Sequence, residues 1–263
     1  MKLKLLLMTL LLSPLLSQAD TTLVFKLPAS QKTENLLTYY ISHGRLRYEE
    51  ASNKRINLFD QKTQEFTSLD QVTGTISRIN HDIINQHVEK LNQQRLEKLK
   101  TVEAGLREKL KSMDTSKKEA AEVIMNKLKY PEFYGDHTFL ASQKTTTTKT
   151  INNIECRIYN INQNDRLVRQ LCMALPSALK MNDTDYQTLR SFLKFNYDVQ
   201  SKLALAAGQS SFTYIDYDQH KIHGIPLEIT LFTEKGSLQD QVLTDIHHKS
   251  LNKALFEIKP PVK

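Results

Sequence analysis

The residue types that could form a chemical site are concentrated in one short segment, Asp216-Tyr-Asp-Gln-His-Lys-Ile-His223. Two carboxylates and two imidazoles are ligand types that divalent metals take in proteins. The segment joins two predicted strands, however, and it is rich in polar residues typical of turns. If it were extended, its side chains would alternate between opposite faces. We therefore interpret it as a solvated loop and expect no metal and no cofactor.

Other candidates for catalysis are isolated in the sequence. His137 stands beside Asp136, but no nucleophile-bearing turn accompanies the pair, which favours a surface turn. His247 and His248 are neighbours in a predicted strand and so point to opposite faces. The sequence contains neither Gly-x-Ser-x-Gly nor His-Glu-x-x-His, and its 7 glycines form no phosphate-binding loop. These observations predict a protein that is not an enzyme.

The two cysteines, Cys156 and Cys172, lie in β-rich runs on either side of a polar turn. This pattern is typical of a β-hairpin. If residues 162 and 166 pair across a three-residue turn, the same register places the two cysteines directly opposite each other. No Cys-x-x-Cys motif or nearby helix start lowers a thiol pKa, which disfavours the alternative of free reactive thiols. The sequence therefore predicts one disulfide in an oxidising compartment.

Residues 1–19 have the pattern of a secretory signal peptide. Lys2 and Lys4 precede a leucine-rich run, and Ser17-x-Ala19 offers small residues to a signal peptidase. The run is too short to span a bilayer, and no cysteine follows it that could carry a lipid anchor. We therefore expect cleavage before Asp20, a periplasmic or secreted protein, and no transmembrane segment after cleavage.

Net charge and chain length further restrict the possible partners and the number of domains. The chain has 36 Lys+Arg and 29 Asp+Glu, and removing Lys2 and Lys4 leaves 34 against 29, or +5. This excess is mild and mixed with Glu along helical stretches, whereas nucleic-acid proteins concentrate basic residues on one surface. Nucleic acid is therefore excluded as a partner. Residues 20–263 are long enough for one domain with a packed core.

Short β-type runs separated by turn residues predict a large antiparallel sheet. Roughly ten strands are expected, which together with three helices indicates the α+β class. The predicted runs are Thr22–Leu27, Leu36–Ser42, Arg45–Glu49, Arg55–Asp60, Glu65–Leu69, Thr138–Ser142, Thr145–Thr148, the two arms of the cysteine hairpin, Ser211–Tyr217, Ile225–Phe232 and Gln241–His247.

A helical hairpin, residues 81–129, is predicted between β-segments. Apolar residues recur with a period of about 3.6 from around Arg78 to Met113. The pattern from Ser116 to Glu119 matches a capping box, and the second helix should end before Pro131. The hairpin is either a solvated structural element or a binding surface. Its mixed charges, and its lack of Trp and Phe, favour a protein partner over lipid.

A third helix is predicted from Asp183 to about Ala207. Its apolar positions include Leu189, Phe192, Leu193 and Val199. A strongly curved antiparallel sheet must bury its inner face, and this helix carries the most continuous apolar stripe after the leader. We expect the helix to lie against the concave side of the sheet.

Several segments resemble, in the same order, a family of exported bacterial proteins of unknown function. The resemblance covers nearly the whole mature chain and lies in packing patterns. It is carried by Tyr39–Arg47, Asn57–Asp60, Glu65–Thr67, Cys156–Asn160, Arg169–Cys172, Asp185–Phe195, Gly224–Pro226 and Ser250–Ile258. That family is similar in outline to outer-membrane lipoprotein carrier proteins. The resemblance implies an incompletely closed antiparallel barrel with helices on its concave face.

This resemblance also implies a cavity for apolar material, for which Leu189, Phe192, Leu193 and Val199 are the candidate lining residues. The expected function is therefore that of a non-enzymatic periplasmic binding or carrier-like protein with an apolar or lipid-like ligand. The alternative is an interaction or scaffold protein that binds a protein partner through residues 81–129. Fold alone does not decide between them.

N-terminal sequencing of the protein from its native host tests the predicted export. The first residue should be Asp20, because the small residues Ser17 and Ala19 match a signal-peptidase site. A chain that retains Met1, or one found in the cytoplasm, would contradict the predicted compartment.

Overall fold

The computed structural model describes residues 19–28, 35–111, 114–130, 140–207 and 215–259. Within these ranges the chain forms eleven β-strands and three α-helices. The predicted leader other than Ala19, and the pair Asp136 and His137, lie outside the described residues. The strands are β1 (Thr21–Leu27), β2 (Asn35–Ser42), β3 (Arg45–Glu50), β4 (Arg55–Asp60), β5 (Glu65–Asp70), β6 (Ile76–Ile79), β7 (Leu140–Ile151), β8 (Ile154–Gln163), β9 (Arg166–Ala174), β10 (Ile225–Thr233) and β11 (Gly236–His248).

All eleven strands belong to one antiparallel sheet in the order β6-β5-β4-β3-β2-β1-β11-β10-β9-β8-β7. The sheet is therefore two meanders, β1 to β6 and β7 to β11, joined where β1 pairs with β11. β7 contacts β11 although three strands separate them in the order, so this half of the sheet is strongly curled. The edge strands β6 and β7 do not pair, which leaves the sheet open. The predicted α+β class with a large antiparallel sheet is confirmed.

Tight turns connect several neighbouring strands. His43 and Gly44, Asn152 and Asn153, and Asn164 and Asp165 all have positive φ angles between 47° and 77°. Two consecutive residues with positive φ are characteristic of the type I′ turn. The twist of this turn matches the twist of the strands that a two-residue hairpin joins. Asparagine, aspartate and glycine tolerate this conformation better than other residues. The local sequence thus determines the positions of the turns in three of the hairpins.

The cysteine hairpin contains the predicted disulfide in a different register. Cys156 and Cys172 are joined, with 2.07 Å between their sulfurs and 5.3 Å between their Cα atoms. The turn has two residues rather than three, and a bulge lies between Ile161 and Asn162. Cys172 is consequently opposite Ile158. The predicted pairing is confirmed, but the predicted directly opposed register is wrong, because the shorter turn and the bulge each shift the register by one residue.

The predicted helical hairpin is present between β6 and β7. Its helices are α1 (His81–Leu110) and α2 (Thr115–Lys129), and an ion pair of 2.7 Å joins Glu103 to Lys129. Arg78 lies in β6 rather than at the start of the helix, because α1 begins after its N-cap Asn80. α2 is capped by Asp114, which accepts a hydrogen bond from the Lys117 N–H at 2.9 Å, rather than by Ser116.

The third helix, α3 (Asp183–Ala206), packs on β2 and β3. Asn182 caps it by accepting a hydrogen bond from the Asp185 N–H at 2.8 Å. α1 in turn packs on α3, where Arg95 donates to the backbone carbonyls of Leu205 and Ala206 at 3.3 Å. Ile84 of α1 is buried in the same core. The first turns of the helical hairpin therefore belong to the core of the domain.

Three strand predictions differ from the structure. The Thr145–Thr148 run is part of β7, a single strand with an irregular register between Lys144 and Thr148. The predicted strand Ser211–Tyr217 is wrong for its described residues, because Ile215 and Asp216 have no regular structure and Tyr217 begins a turn. β11 begins at Gly236 instead of Gln241.

No helix among the described residues is long and apolar enough to cross a membrane.

Removing the disulfide should destabilise the domain without changing its fold. Cross-linking residues 16 apart stabilises a protein by about 3 kcal/mol through loss of chain entropy in the unfolded state. The double variant Cys156→Ala/Cys172→Ala should therefore have a lower urea midpoint than the oxidised wild type and a similar slope. Equal midpoints for the two proteins would contradict a structural role for the bridge.

Candidate functional site

The predicted cleft residues of α3 lie at its contact with the first meander. Phe192 is only 2% exposed and its ring centroid is 5.5 Å from Tyr48, 5.6 Å from Phe59 and 6.2 Å from Tyr39. Burial raises the pKa of Tyr39 well above its usual range, as expected for a phenol held away from water. Leu189 and Val199 are buried in the same cluster, and Leu193 is half-buried. This part of the sheet is filled by packed side chains.

Polar contacts also hold the buried face of α3 to the turn between β4 and β5. Thr188 donates a hydrogen bond to Gln61 at 2.9 Å, and Gln64 donates to Ser191 at 2.8 Å. The Thr184 carbonyl lies 2.8 Å from the same Thr188 hydroxyl, so the single proton of this hydroxyl is shared between the two acceptors. These bonds satisfy polar groups beside an apolar core, where unmade hydrogen bonds are costly. The same face of the helix is thus fixed by both apolar and polar contacts.

A segment that we term the strap, residues 215–224, leads from α3 to β10. It carries the carboxylates and imidazoles whose types suggested a metal site. The Asp216 carboxylate accepts hydrogen bonds from the backbone N–H groups of Asp218 and Gln219, at 2.9 and 3.1 Å, so it serves a turn. Among the described residues, no group of three His, Cys, Asp or Glu side chains is arranged to hold a metal ion.

The strap is more than the solvated loop expected from its composition. Ile222 is fully buried and Ile215 nearly so, in a second apolar cluster with strand residues of the second meander. The strap therefore covers apolar surface of β8 and β9 while its polar side chains remain accessible. Sequence reasoning missed this role because a single isoleucine between Lys221 and His223 gives no periodic signal. The strand members of the cluster are Tyr159, Ile161, Leu171 and Met173.

Arg190 of α3 is the main anchor of the strap. Its guanidinium donates to the Ile222 carbonyl at 3.1 Å, pairs with the Asp218 carboxylate, and lies 5.4 Å from the ring centroid of Tyr217. Hydrogen bonds that involve a charged donor are stronger than neutral ones, and a cation over an aromatic ring adds further attraction. One side chain thus joins the central helix to three residues of the strap.

The end of the strap is fixed by a glycine. Gly224 has a φ of +107°, and a Cβ atom at this position would lie 2.3 Å from the Ala174 carbonyl oxygen. Only glycine satisfies both constraints. Its N–H donates to the Tyr186 hydroxyl of α3 at 3.3 Å, which gives the strap a second connection to the helix.

A pocket of about 250 Å³ opens between the strap and the second meander. Its floor is a row of directly paired residues, in which Ile161 faces Arg169 and Arg169 faces Leu231 across three adjacent strands. The remaining lining is mostly apolar and consists of Leu140, Val168, Ile215 and Phe232, with Gln163 and Thr233 as its other polar residues. None of the four residues predicted to line a cleft is part of it.

Arg169 gives the pocket its one cationic group. Among the described residues, no carboxylate lies within ion-pair distance of its guanidinium. It is close enough to Tyr217 to oppose the burial that raises the pKa of that phenol. A partly buried guanidinium beside an apolar surface is suited to a ligand that combines an anionic group with a hydrocarbon chain.

A second pocket, of about 410 Å³, has a more polar lining. Its walls include the charged residues Lys144, Glu155 and Arg157. Charges of both signs line it, and polar atoms make up a larger share of its lining than in the pocket at Arg169. The adjacent histidines of β11 contact other groups. His247 is 3.1 Å from Asp245, whereas His248 hydrogen-bonds the Leu179 carbonyl at 2.8 Å.

Comparison with known proteins adds no relative to these observations. No protein-family model matches the chain, and no curated protein matches it significantly in sequence. The pocket geometry and the fold are therefore the basis for the functional argument.

Replacing the anchor of the strap should loosen the strap selectively. Arg190→Met keeps an apolar stem but removes the charged hydrogen bond to Ile222, a loss of about 1–3 kcal/mol. Hydrogen exchange at the Ile222 amide should become faster, because that amide reports opening of the strap. Lys194→Met is the control, since Lys194 makes only an exposed pair with Asp198 on the same helix. Equal exchange in both variants would contradict the role of Arg190.

Proposed function

We propose that the protein is an exported, non-enzymatic carrier-like protein that binds a single hydrocarbon chain with an anionic head group. One observation carries the proposal, namely the apolar pocket whose floor places Arg169 between Ile161 and Leu231. The chain would lie on the apolar residues, and the head group would pair with the guanidinium. The resemblance to lipoprotein carriers, and the open antiparallel sheet, are compatible with this function.

The volume of the pocket restricts the ligand. Ligand sites commonly occupy about 300–1,000 Å³, and this pocket of about 250 Å³ is slightly smaller. One acyl chain of medium length fits this size better than a diacyl lipid. A longer chain would require displacement of the strap, whose connections through Arg190 and Gly224 oppose that movement.

Dodecanoate is a suitable probe of the pocket. The mature protein should bind it, and Leu231→Asp should weaken binding at least tenfold, because the new carboxylate repels the ligand and reduces apolar contact. The matched control is Leu238→Asp, which changes the exposed residue directly opposite Leu231 in β11 but outside the pocket. Isothermal titration calorimetry measures both. No binding by the wild type, or equal loss in both variants, would contradict the proposal.

The variant Arg169→Gln tests the contribution of the anionic head group separately from that of the hydrocarbon chain. Loss of the guanidinium should weaken binding of dodecanoate but leave binding of dodecanol nearly unchanged, since the alcohol has no charge to pair. An equal effect on both probes would mean that Arg169 acts only through the structure of the pocket.

Exposed apolar residues on the helical hairpin favour a second candidate function, binding of a protein partner. Val102 of α1 and Val123, Ile124 and Leu128 of α2 are all between 45% and 58% exposed. Apolar side chains grouped on a projecting amphipathic hairpin, among charges of both signs, suit an apolar helix face on another protein. This function is compatible with ligand binding at the pocket, because the two surfaces share no residue.

Cross-linking in the native host tests this second candidate. The double variant Val123→Asp/Ile124→Asp should abolish a cross-linked complex of defined mass, because buried carboxylates oppose apolar contact. Lys118→Asp on the same helix makes the same charge change of −2 and should retain the complex. Retention of the complex in the double variant would contradict the role of this surface.

A further inference from the structure

Two carboxylates are buried together at the start of β1. Asp20 precedes the strand and is 6% exposed, and Asp185 lies in the first turn of α3 and is 1% exposed. The Asp20 carboxylate accepts a hydrogen bond from the Leu251 N–H at 2.6 Å. The Oδ2 atom of Asp185 has no hydrogen-bond partner among the described residues. A buried acceptor without a partner is costly in free energy, and the neighbouring Thr21 hydroxyl is also without one.

The cations near this pair do not account for its charge. His43 is 3.6 Å from Asp20, but its side chain is 81% exposed. Among the described residues, no lysine or arginine forms an ion pair with either aspartate. Burial raises the pKa of Asp185, and the neighbouring Asp20 raises it further. Both effects oppose ionisation of Asp185, so an additional cation would be needed to hold the two carboxylates ionised together.

The bond predicted to be cleaved by signal peptidase lies at this site. The Ala19 carbonyl accepts a hydrogen bond from the side-chain amide of Asn182 at 3.3 Å. The same Asn182 caps α3 through the Asp185 N–H. Hydrogen bonding by Thr21 favours the ionised form of the Asp185 carboxyl, so this carboxyl lies next to the backbone that follows Asp20. The Asp20 nitrogen therefore belongs to the backbone segment that adjoins the Asp185 carboxyl.

We propose that cleavage after Ala19 completes the site, because the new α-ammonium of Asp20 pairs with the buried carboxylate of Asp185. The proposal rests on the proposed export and cleavage. Signal peptidase adds one water across the amide, so that the bond between the Ala19 carbonyl carbon and the Asp20 nitrogen breaks. The oxygen of the water becomes part of the Ala19 carboxylate, and the nitrogen of Asp20 is released as an ammonium. The mature chain therefore carries a cation that the precursor lacks.

The consequence reaches α3. The ammonium joins the start of β1 to the first turn of the helix that fills the core and anchors the strap through Arg190. In the precursor the same position is an amide, which cannot neutralise the carboxylates. Removal of the leader thus stabilises the contact between the start of β1 and the first turn of α3. The mature protein is therefore more stable against unfolding than any form with a preceding residue.

A double-mutant cycle tests this pairing. One form is the mature protein that begins at Asp20, and the other begins at Ser17, so that its ammonium is displaced by about 10 Å. In the mature form Asp185→Asn should lower the melting temperature by about 3–6 °C, through loss of the ion pair. In the extended form Asp185→Asn should leave the melting temperature unchanged or raise it. Asp183→Asn, an exposed change in the same helical turn, should have the same small effect in both forms.

The reactivity of the amine provides an independent measurement on the unmodified protein. Carbamylation of the Asp20 amine by cyanate at constant pH should be at least tenfold slower in the folded mature protein than in a free peptide of residues 20–27. This comparison remains valid if Asp185→Asn does not fold. Equal rates, equal effects of Asp185→Asn in both forms, or a mature chain that begins at another residue would each overturn the proposal.

Discussion

The packing of α3 on the first meander is the interaction on which the rest of the structure depends. An open antiparallel sheet exposes a broad apolar face unless another element covers it. Phe192 occupies the centre of that contact, among the rings of Tyr39, Tyr48 and Phe59. Truncation of such a buried phenylalanine costs about 3–5 kcal/mol, a large share of the stability of one domain. α1 and the strap both contact this helix, α1 through Arg95 and the strap through Arg190.

The two halves of the sheet differ in what covers them. The helix α3 packs on the first meander and on one face of the second, whereas the strap covers the other face of the second meander beside the pocket. The disulfide crosses the second half, next to strands that are buried on both faces. The pocket lies between these strands and the strap, which Arg190 anchors, and Arg169 places a guanidinium in its mostly apolar lining.

Local patterns explain which parts of the fold the sequence predicts. The type I′ turns, the helical hairpin and the Asn182 cap depend on neighbouring residues, so their positions follow from residue type and spacing. The pairing of Cys156 with Cys172 was predicted for a partly wrong reason, because a bulge near Ile161 has no signature in one sequence. Leu189, Phe192 and Val199 are predicted to line a cleft, and they lie in the packed core. An apolar stripe has the same sequence pattern whether it lines a cavity or packs in a core.

The pocket could not be predicted because its residues come together only through tertiary structure. Ile161, Arg169 and Leu231 belong to three strands whose registers are shifted by bulges. The burial of Ile222 in the strap likewise depends on the distant Arg190. The buried Asp185 resembles an ordinary residue of a helical first turn, and its unpartnered oxygen becomes apparent only beside Asp20.

The most direct test of the account is a methyl NMR titration of the mature protein, labelled at isoleucine and leucine methyl groups, with dodecanoate. The account predicts saturable shifts at Ile161, Ile215 and Leu231, with Leu189 unchanged, because the ligand occupies the pocket under the strap while α3 stays packed. Shifts centred on Leu189 and Leu193 would instead place the ligand beneath α3. That result, or the absence of any shift, would contradict the account.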